Sequence, residues 1–356
     1  MISQLVSSGD VQEGDLMGKS GVAFHPSMDI HDASKVQTFM DSPRKYFFKF
    51  ILGWEPEGSN VHLVFGSAWH EAMEHLLLSL NGDDPYSNRA IIEAWDKLHA
   101  VFSASFPNEM SWGDHGAKEP GNALKALTEY TQKWIGDIKR YRTLFTEVAG
   151  SVPISDENDR VIYYKLDSVL EDLDKNGIRS EEHKTTGRLT QAWRDQWEII
   201  LQPMIYNHAL RSIFQDYNVL GVTINGAILR KKGNEFLRFP VAKSDAMMSE
   251  GLWKLNHYLD MIEWYTQNMM ETSPEDDVMP AFPCNGTSCS KFGCAFSSFC
   301  GHWANPLQHA DNPPLGFTRK FWDPMRQDRK VTMNVRSDAP GSVEIITTEE
   351  DHASNS

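Results

Sequence analysis

Cysteine, basic charge and long apolar runs are all scarce in this sequence. Four cysteines in 356 residues are too few for the disulfide frameworks that hold small secreted folds together. No segment approaches the ~18 uninterrupted apolar residues of a membrane-spanning helix. The opening MISQLVSSGDVQEGDLMGKS has neither the basic nor the apolar block of a signal peptide. The expected setting is therefore the reducing cytoplasm, with no membrane partner. Lys and Arg number 34 against 49 Asp and Glu, a formal net charge of −15. That excludes a uniformly basic surface but not nucleic acid, because the distribution of charge matters more than its total. Acid is concentrated in ETSPEDD (271–277) and SVEIITTEEDHASNS (342–356). The rest of the composition, 40% hydrophobic and 23% charged, is that of a soluble globular protein. The length suits one large or two ordinary domains.

Periodicity orders the chain. Residues 1–30 carry little pattern and read as irregular. Helical patterns follow at about 32–51, 61–81, 87–104 and 121–140. Strand-like segments then run over 144–154, 160–172 and 178–186, with DKNG (174–177) as a hairpin turn between the last two. A helical stretch covers about 190–214, and two more strands flank Gly233-Asn234. A final amphipathic helix spans 246–270, and a polar, flexible tail is expected over 304–356. Strands enclosed by helices predict an α/β fold with a mixed central sheet. Its parts are a helical region over 31–140, a core over 141–270 and a cysteine loop over 284–300.

The chemistry is concentrated in SEEHKTTGR (180–188). Alternation puts Glu182 and Lys184 on one strand face and His183 on the other. Such a pair can be a surface ion pair worth under about 1 kcal/mol. The hairpin, however, brings Asp167 nearly opposite Glu182. Two converging carboxylates repel unless a cation or proton sits between them, and a hard divalent ion such as Mg²⁺ fits. Lys184 is then placed to act on a nucleophilic water.

All four cysteines, Cys284, Cys289, Cys294 and Cys300, fall in CNGTSCSKFGCAFSSFC. That grouping points to a metal or cluster site. The spacing C-x4-C-x4-C-x5-C is looser than the usual zinc pairs, and four thiolates also suit a [4Fe–4S] cluster. Zn²⁺ and the cluster both remain open.

Asp167 followed by Glu182-x-Lys184 across a hairpin resembles the PD-(D/E)XK nuclease superfamily, and within it the RecB-like exonuclease branch with C-terminal cysteines. SPRKYFFKFILGW (42–54), FGSAWHEAMEHLL (65–77), QPMIY (202–206) and CSKFGCAFSSFC (289–300) resemble further motifs of that branch, in the same order. The resemblance implies a restriction-endonuclease-like core and metal ligation by His70, Asp167, Glu182 and the backbone carbonyl of His183. It also implies a water-directing role for Lys184 and substrate contacts from Gln202 and Tyr206. Two departures stand out. Ser42 occupies a position where the branch often has a cluster cysteine, and Pro203 directly follows Gln202, so a helix there must kink or restart.

For nucleic-acid contact, ILRKKGNEFLRFPVAK (228–243) holds five basic residues against one acidic, among them Arg230, Lys231 and Lys232. Arg44 and Lys45 precede Tyr46, Phe47 and Phe48, aromatics expected mostly in the core. The expectation is a Mg²⁺- or Mn²⁺-dependent DNA exonuclease of recombination, repair or replication, with proteins of those processes as further partners. The rival is a non-catalytic, cluster-stabilised DNA-binding subunit.

Overall fold

A computed structural model describes residues 18–155, 158–286, 293–326, 331–336 and 342–347. Its elements run α1 (Ala33–Asp41), α2 (Pro43–Tyr46) continuing into a π-helical turn (Phe47–Ile51), β1 (Trp54–Pro56), α3 (Val61–Ser79), α4 (Asn88–Ser105), α5 (Pro120–Lys133) and α6 (Asp137–Arg140). Then come β2 (Tyr141–Pro153), β3 (Val161–Asp172), β4 (Gly177–Thr186), α7 (Gln191–Ile199), α8 (Leu201–Ile213), β5 (Val219–Ile228) and β6 (Glu235–Val241). The last are α9 (Asp245–Glu271), α10 (Ser297–His302), β7 (Phe317–Arg319), β8 (Val331–Val335) and β9 (Val343–Thr347). None of the described helices is long and apolar enough to cross a membrane.

These elements divide into two units. One draws on Met1–Glu57 and Glu250–Gln327, the other on Gly58–Ser249 and Asp328–Ser356. The first has an aromatic interior. Tyr46, Phe47, Phe48, Phe50 and Trp54 are all buried, as expected of aromatics destined for the core. Phe48 stacks on Trp54 at 5.4 Å and on Phe296 at 5.3 Å, and Phe299 stacks on Trp303 at 4.5 Å. Ser42 caps α2 by accepting from Lys45 N at 3.3 Å, a role serine fills well.

The second unit is a seven-stranded mixed sheet in the order β6-β5-β4-β3-β2-β8-β9. Neighbours are antiparallel except the β4–β5 and β2–β8 pairs. Helix α3 buries Phe65, Ala68, Trp69, Ala72, Met73, Leu76 and Leu77, a helical i, i+3, i+4, i+7 spacing. The β3–β4 hairpin closes with Asp172 opposite Gly177. Asn176 takes the left-handed position of its turn, φ 46°, which asparagine tolerates better than most residues.

Three expectations change. The 121–140 helix is two helices, broken between Lys133 and Asp137. The 190–214 helix breaks at Ile200, whose ψ of 156° is extended, so Pro203 falls in the first turn of α8, where its missing N–H costs nothing. The segment from 304, read as a flexible tail, supplies β7 to a small two-stranded sheet and β8 and β9 to the central one. Strands of five residues carry too little alternation to stand out in a polar region. One residue shows how close β8 lies: a Cβ on Gly150 of β2 would sit 1.9 Å from the Met333 carbonyl oxygen.

Candidate metal and catalytic site

The pairing of β3 with β4 includes Ser168 opposite Glu181. Continued by one step, that register sets Asp167 opposite Glu182. Here the strands exchange a side-chain bond, His183 N donating to Asp167 Oδ2 at 2.8 Å. Helix α3 brings His70 to the same point. Its Nδ1 lies 3.2 Å from Asp167 Oδ1 and its Nε2 3.0 Å from the His183 carbonyl oxygen. Lys184 Nζ donates to Glu182 Oε1 and sits 5.5 Å over the Trp197 ring. Gln202 Nε2 donates to the same Glu182 oxygen at 2.9 Å and to Tyr206 OH at 2.8 Å. Seven residues singled out in the sequence thus converge: His70, Asp167, Glu182, His183, Lys184, Gln202 and Tyr206.

The electrostatics of the cluster are strained. Burial, then the neighbouring Asp167, pushes the Glu182 carboxyl up to about 7. For Asp167, burial opposes the charge, but His70 outweighs it and holds the carboxyl well below the usual range. Burial likewise opposes charge on His70, and Asp167 reverses the balance and raises it. An imidazolium bonded to both Asp167 and the His183 carbonyl fills the place a cation would take. The His183 ring is buried with neither nitrogen hydrogen-bonded, and burial pushes it down to about 3.

Sequence reasoning missed Glu147. On β2 it has φ 49°, a conformation that costs a non-glycine residue about 1–3 kcal/mol. The ladder pairs Thr146 with Ser168 and Val148 with Leu166, leaving Glu147 between them on the level of Asp167. Its carboxylate meets Lys165 Nζ at 2.6 Å. Ligand atoms of His70, Glu147 and Asp167 lie within 4.8 Å of one another. In sequence it reads as one polar residue in LFTEVAG, with nothing to signal its backbone. Trp197 was missed as well, hidden among the aromatics of the 190–214 stretch.

A divalent cation fits these residues. Two buried carboxylates face each other, and Glu182 Oε2 is buried without a hydrogen-bond partner, a costly state unless something shares its charge. Oxygen donors with one imidazole suit Mg²⁺ or Mn²⁺.

The other candidates lie elsewhere. Lys231 and Lys232 are exposed beyond β5, while Arg230 pairs with Glu235 at 2.8 Å. Arg44, expected at a nucleic-acid surface, is buried instead. It donates to Phe282 O at 2.7 Å and Trp303 O at 3.5 Å, because a guanidinium can satisfy several carbonyls at once. Lys45 is half-buried. Cys284 is exposed, Cys294 and Cys300 are half-buried, and Cys289 lies outside the described residues. Burial opposes the charge of Arg44 and lowers its pKa, with the neighbouring Cys300 and Cys284 acting the other way; the two carbonyls it grips flank the cysteine loop in sequence.

A family model described as the PD-(D/E)XK nuclease superfamily matches residues 33–301. No curated protein matches the chain.

Proposed function

Because the chain belongs to the PD-(D/E)XK nuclease superfamily, whose members are mostly metal-dependent nucleases, we propose that it is a DNA exonuclease working at the His70–Asp167–Glu182–Lys184 cluster. The observation that carries this reading is the meeting of Asp167, Glu182 and Lys184 from two paired strands with one Glu182 oxygen left unpartnered. His70, Asp167 and Glu182, with the His183 carbonyl, would hold the ion, and Glu147 would be a further ligand. Mg²⁺ or Mn²⁺ held there would supply Lewis acidity toward the phosphodiester and would lower the pKa of a water. Lys184, fixed by Glu182, presents its ammonium protons to the attacking water and orients it. Burial opposes the charge of that ammonium, but Glu182 and Asp167 outweigh burial and keep it protonated, so it acts as donor and not as base. Gln202 donates to the same Glu182 oxygen as Lys184, and Tyr206 in turn accepts from Gln202. Trp197 covers one side of the lysine.

Lys231 and Lys232 contact the DNA backbone, and the cysteine loop holds a structural [4Fe–4S] cluster, with Zn²⁺ as the alternative, in a protein of DNA recombination, repair or replication. A lysine held on Glu182 supports catalysis over the binding-only reading, since binding alone has no need of that pair. Purified protein on end-labelled single- and double-stranded DNA, with Mg²⁺, Mn²⁺ or chelator, tests the proposal. Metal-dependent shortening from an end is expected. Intact DNA in every condition would overturn it.

A further inference from the structure

A cavity of about 550 Å³ opens in the sheet unit, and none of the residues of the carboxylate cluster lines it. Its walls include Asp174 and Lys175 of the β3–β4 turn and Arg179 near the start of β4, whereas Asp167 and Glu182 lie toward the other ends of those strands. Alternation along β4 turns Arg179 and Glu181 to the face opposite Glu182 and Lys184.

Six cationic side chains line the cavity: Lys133, Lys139, Arg140, Lys175, Arg179 and Arg238. They do so in a chain of net charge −15. The arginines are partly committed. Arg140 and Arg179 meet the buried Asp172 at 2.9 and 2.7 Å, and Arg238 meets Asp137 at 2.6 Å and Glu181 at 3.6 Å. The three lysines are exposed, and among the described residues none forms an ion pair, although Lys133 donates to Phe236 O at 2.5 Å and lies over the Trp134 ring. Two lining residues also keep a buried N–H with no hydrogen-bond partner, Arg179 Nε and Trp134 Nε1. Donors of this kind are costly to leave unmet. Trp134 is covered by the Arg238 guanidinium, 4.4 Å over its ring, and the Phe239 ring turns to the other face of the sheet against Trp193.

We propose that this cavity is a second binding site, for a small molecule bearing a polyphosphate. Charged oxygens suit Lys139 and Lys175, and several of them on one ligand suit a cavity lined by six cationic side chains against two carboxylates, Asp137 and Asp174. The size is that of a small-molecule pocket, about 300–1,000 Å³, too small for a duplex.

Isothermal titration and tryptophan fluorescence with dATP, dAMP, inorganic phosphate and a 12-mer oligonucleotide test the proposal. They are run in chelator so that the carboxylate cluster takes no metal-bridged ligand. The probes are applied to the wild type and to a Lys139→Glu/Lys175→Glu variant, both exposed positions that leave the fold intact. Wild type binds dATP saturably at one site, more tightly than dAMP and far more tightly than phosphate, with a change in fluorescence. The double variant loses affinity for dATP by about tenfold or more. The proposal is overturned if no nucleotide binds, if the variant binds dATP as well as wild type, or if phosphate equals dATP. Binding of the oligonucleotide alone also overturns it, and points to a strand-backbone site.

Discussion

The two units bury charge in opposite ways. In the aromatic unit, buried cations end on backbone carbonyls. Lys35 Nζ donates to Ser27 O and, at 2.7 Å, to Ile30 O, while Arg44 takes Phe282 O and Trp303 O. Buried polar atoms left without partners there include neutral ones, Tyr46 OH and Trp54 Nε1. In the sheet unit, buried charges face each other, and the unpartnered atoms include a Glu182 oxygen and both nitrogens of His183. A cation closed by carbonyls has nothing further to bind, so its work is structural. Carboxylates crowded together without enough cations are destabilising unless a ligand shares their charge. The contrast separates scaffold from chemistry within one chain.

The largest effect should come from the sheet unit. Glu182→Gln removes the charge that fixes Lys184 and should lower cleavage about 10²–10⁴-fold, with circular dichroism and melting showing a folded protein. Arg44→Met, by contrast, should leave the rate per folded molecule unchanged. Comparable loss of cleavage in both variants would break the division.

Stability effects come next. Gly150→Ala drives a methyl into the Met333 carbonyl and should cost about 1–3 kcal/mol in chemical denaturation. An unaffected variant would mean that β8 does not pair with β2. Arg44→Met abandons two buried carbonyls and should cost about 1.5–3 kcal/mol, read in the same way. A neutral result would show that the aromatic unit does not depend on its buried cation.

A last test sharpens the contrast through pH. The Glu182 carboxyl sits at about 7 in the folded protein, above its ordinary 4.5. The folded state therefore holds that proton more tightly than the unfolded one. The stabilisation is complete below about pH 4.5 and is lost as pH rises through 7. Measured against Glu182→Gln in chelator, the wild-type melting temperature should fall between pH 5 and 7.5. A difference independent of pH would place the Glu182 carboxyl at an ordinary value.

Much of the central sheet could be read because its hairpin is locally written. Alternation in YYKLDSVLED and IRSEEHK, with DKNG between them, is enough to set Asp167 against Glu182. His70 and Gln202 came through resemblance, since nothing local ties α3 or α8 to that hairpin. What escaped depends on tertiary context. Glu147 joins the cluster through a left-handed backbone that no residue type announces. Arg44 looked like a surface cation because a sequence does not show which carbonyls will surround a guanidinium. The strands at 331–335 and 343–347 depend on the close approach at Gly150, far away in sequence.

The central claim, that these side chains form a metal-loaded catalytic centre, is tested most directly by Mn²⁺ calorimetry on wild type and Asp167→Asn, in buffers of different ionisation enthalpy. Wild type should bind Mn²⁺ and release protons, because His70 and Glu182 must give theirs up to the ion. Asp167→Asn should lose that binding and with it the cleavage of end-labelled DNA. Equal Mn²⁺ affinity and equal cleavage in the two proteins would contradict the account.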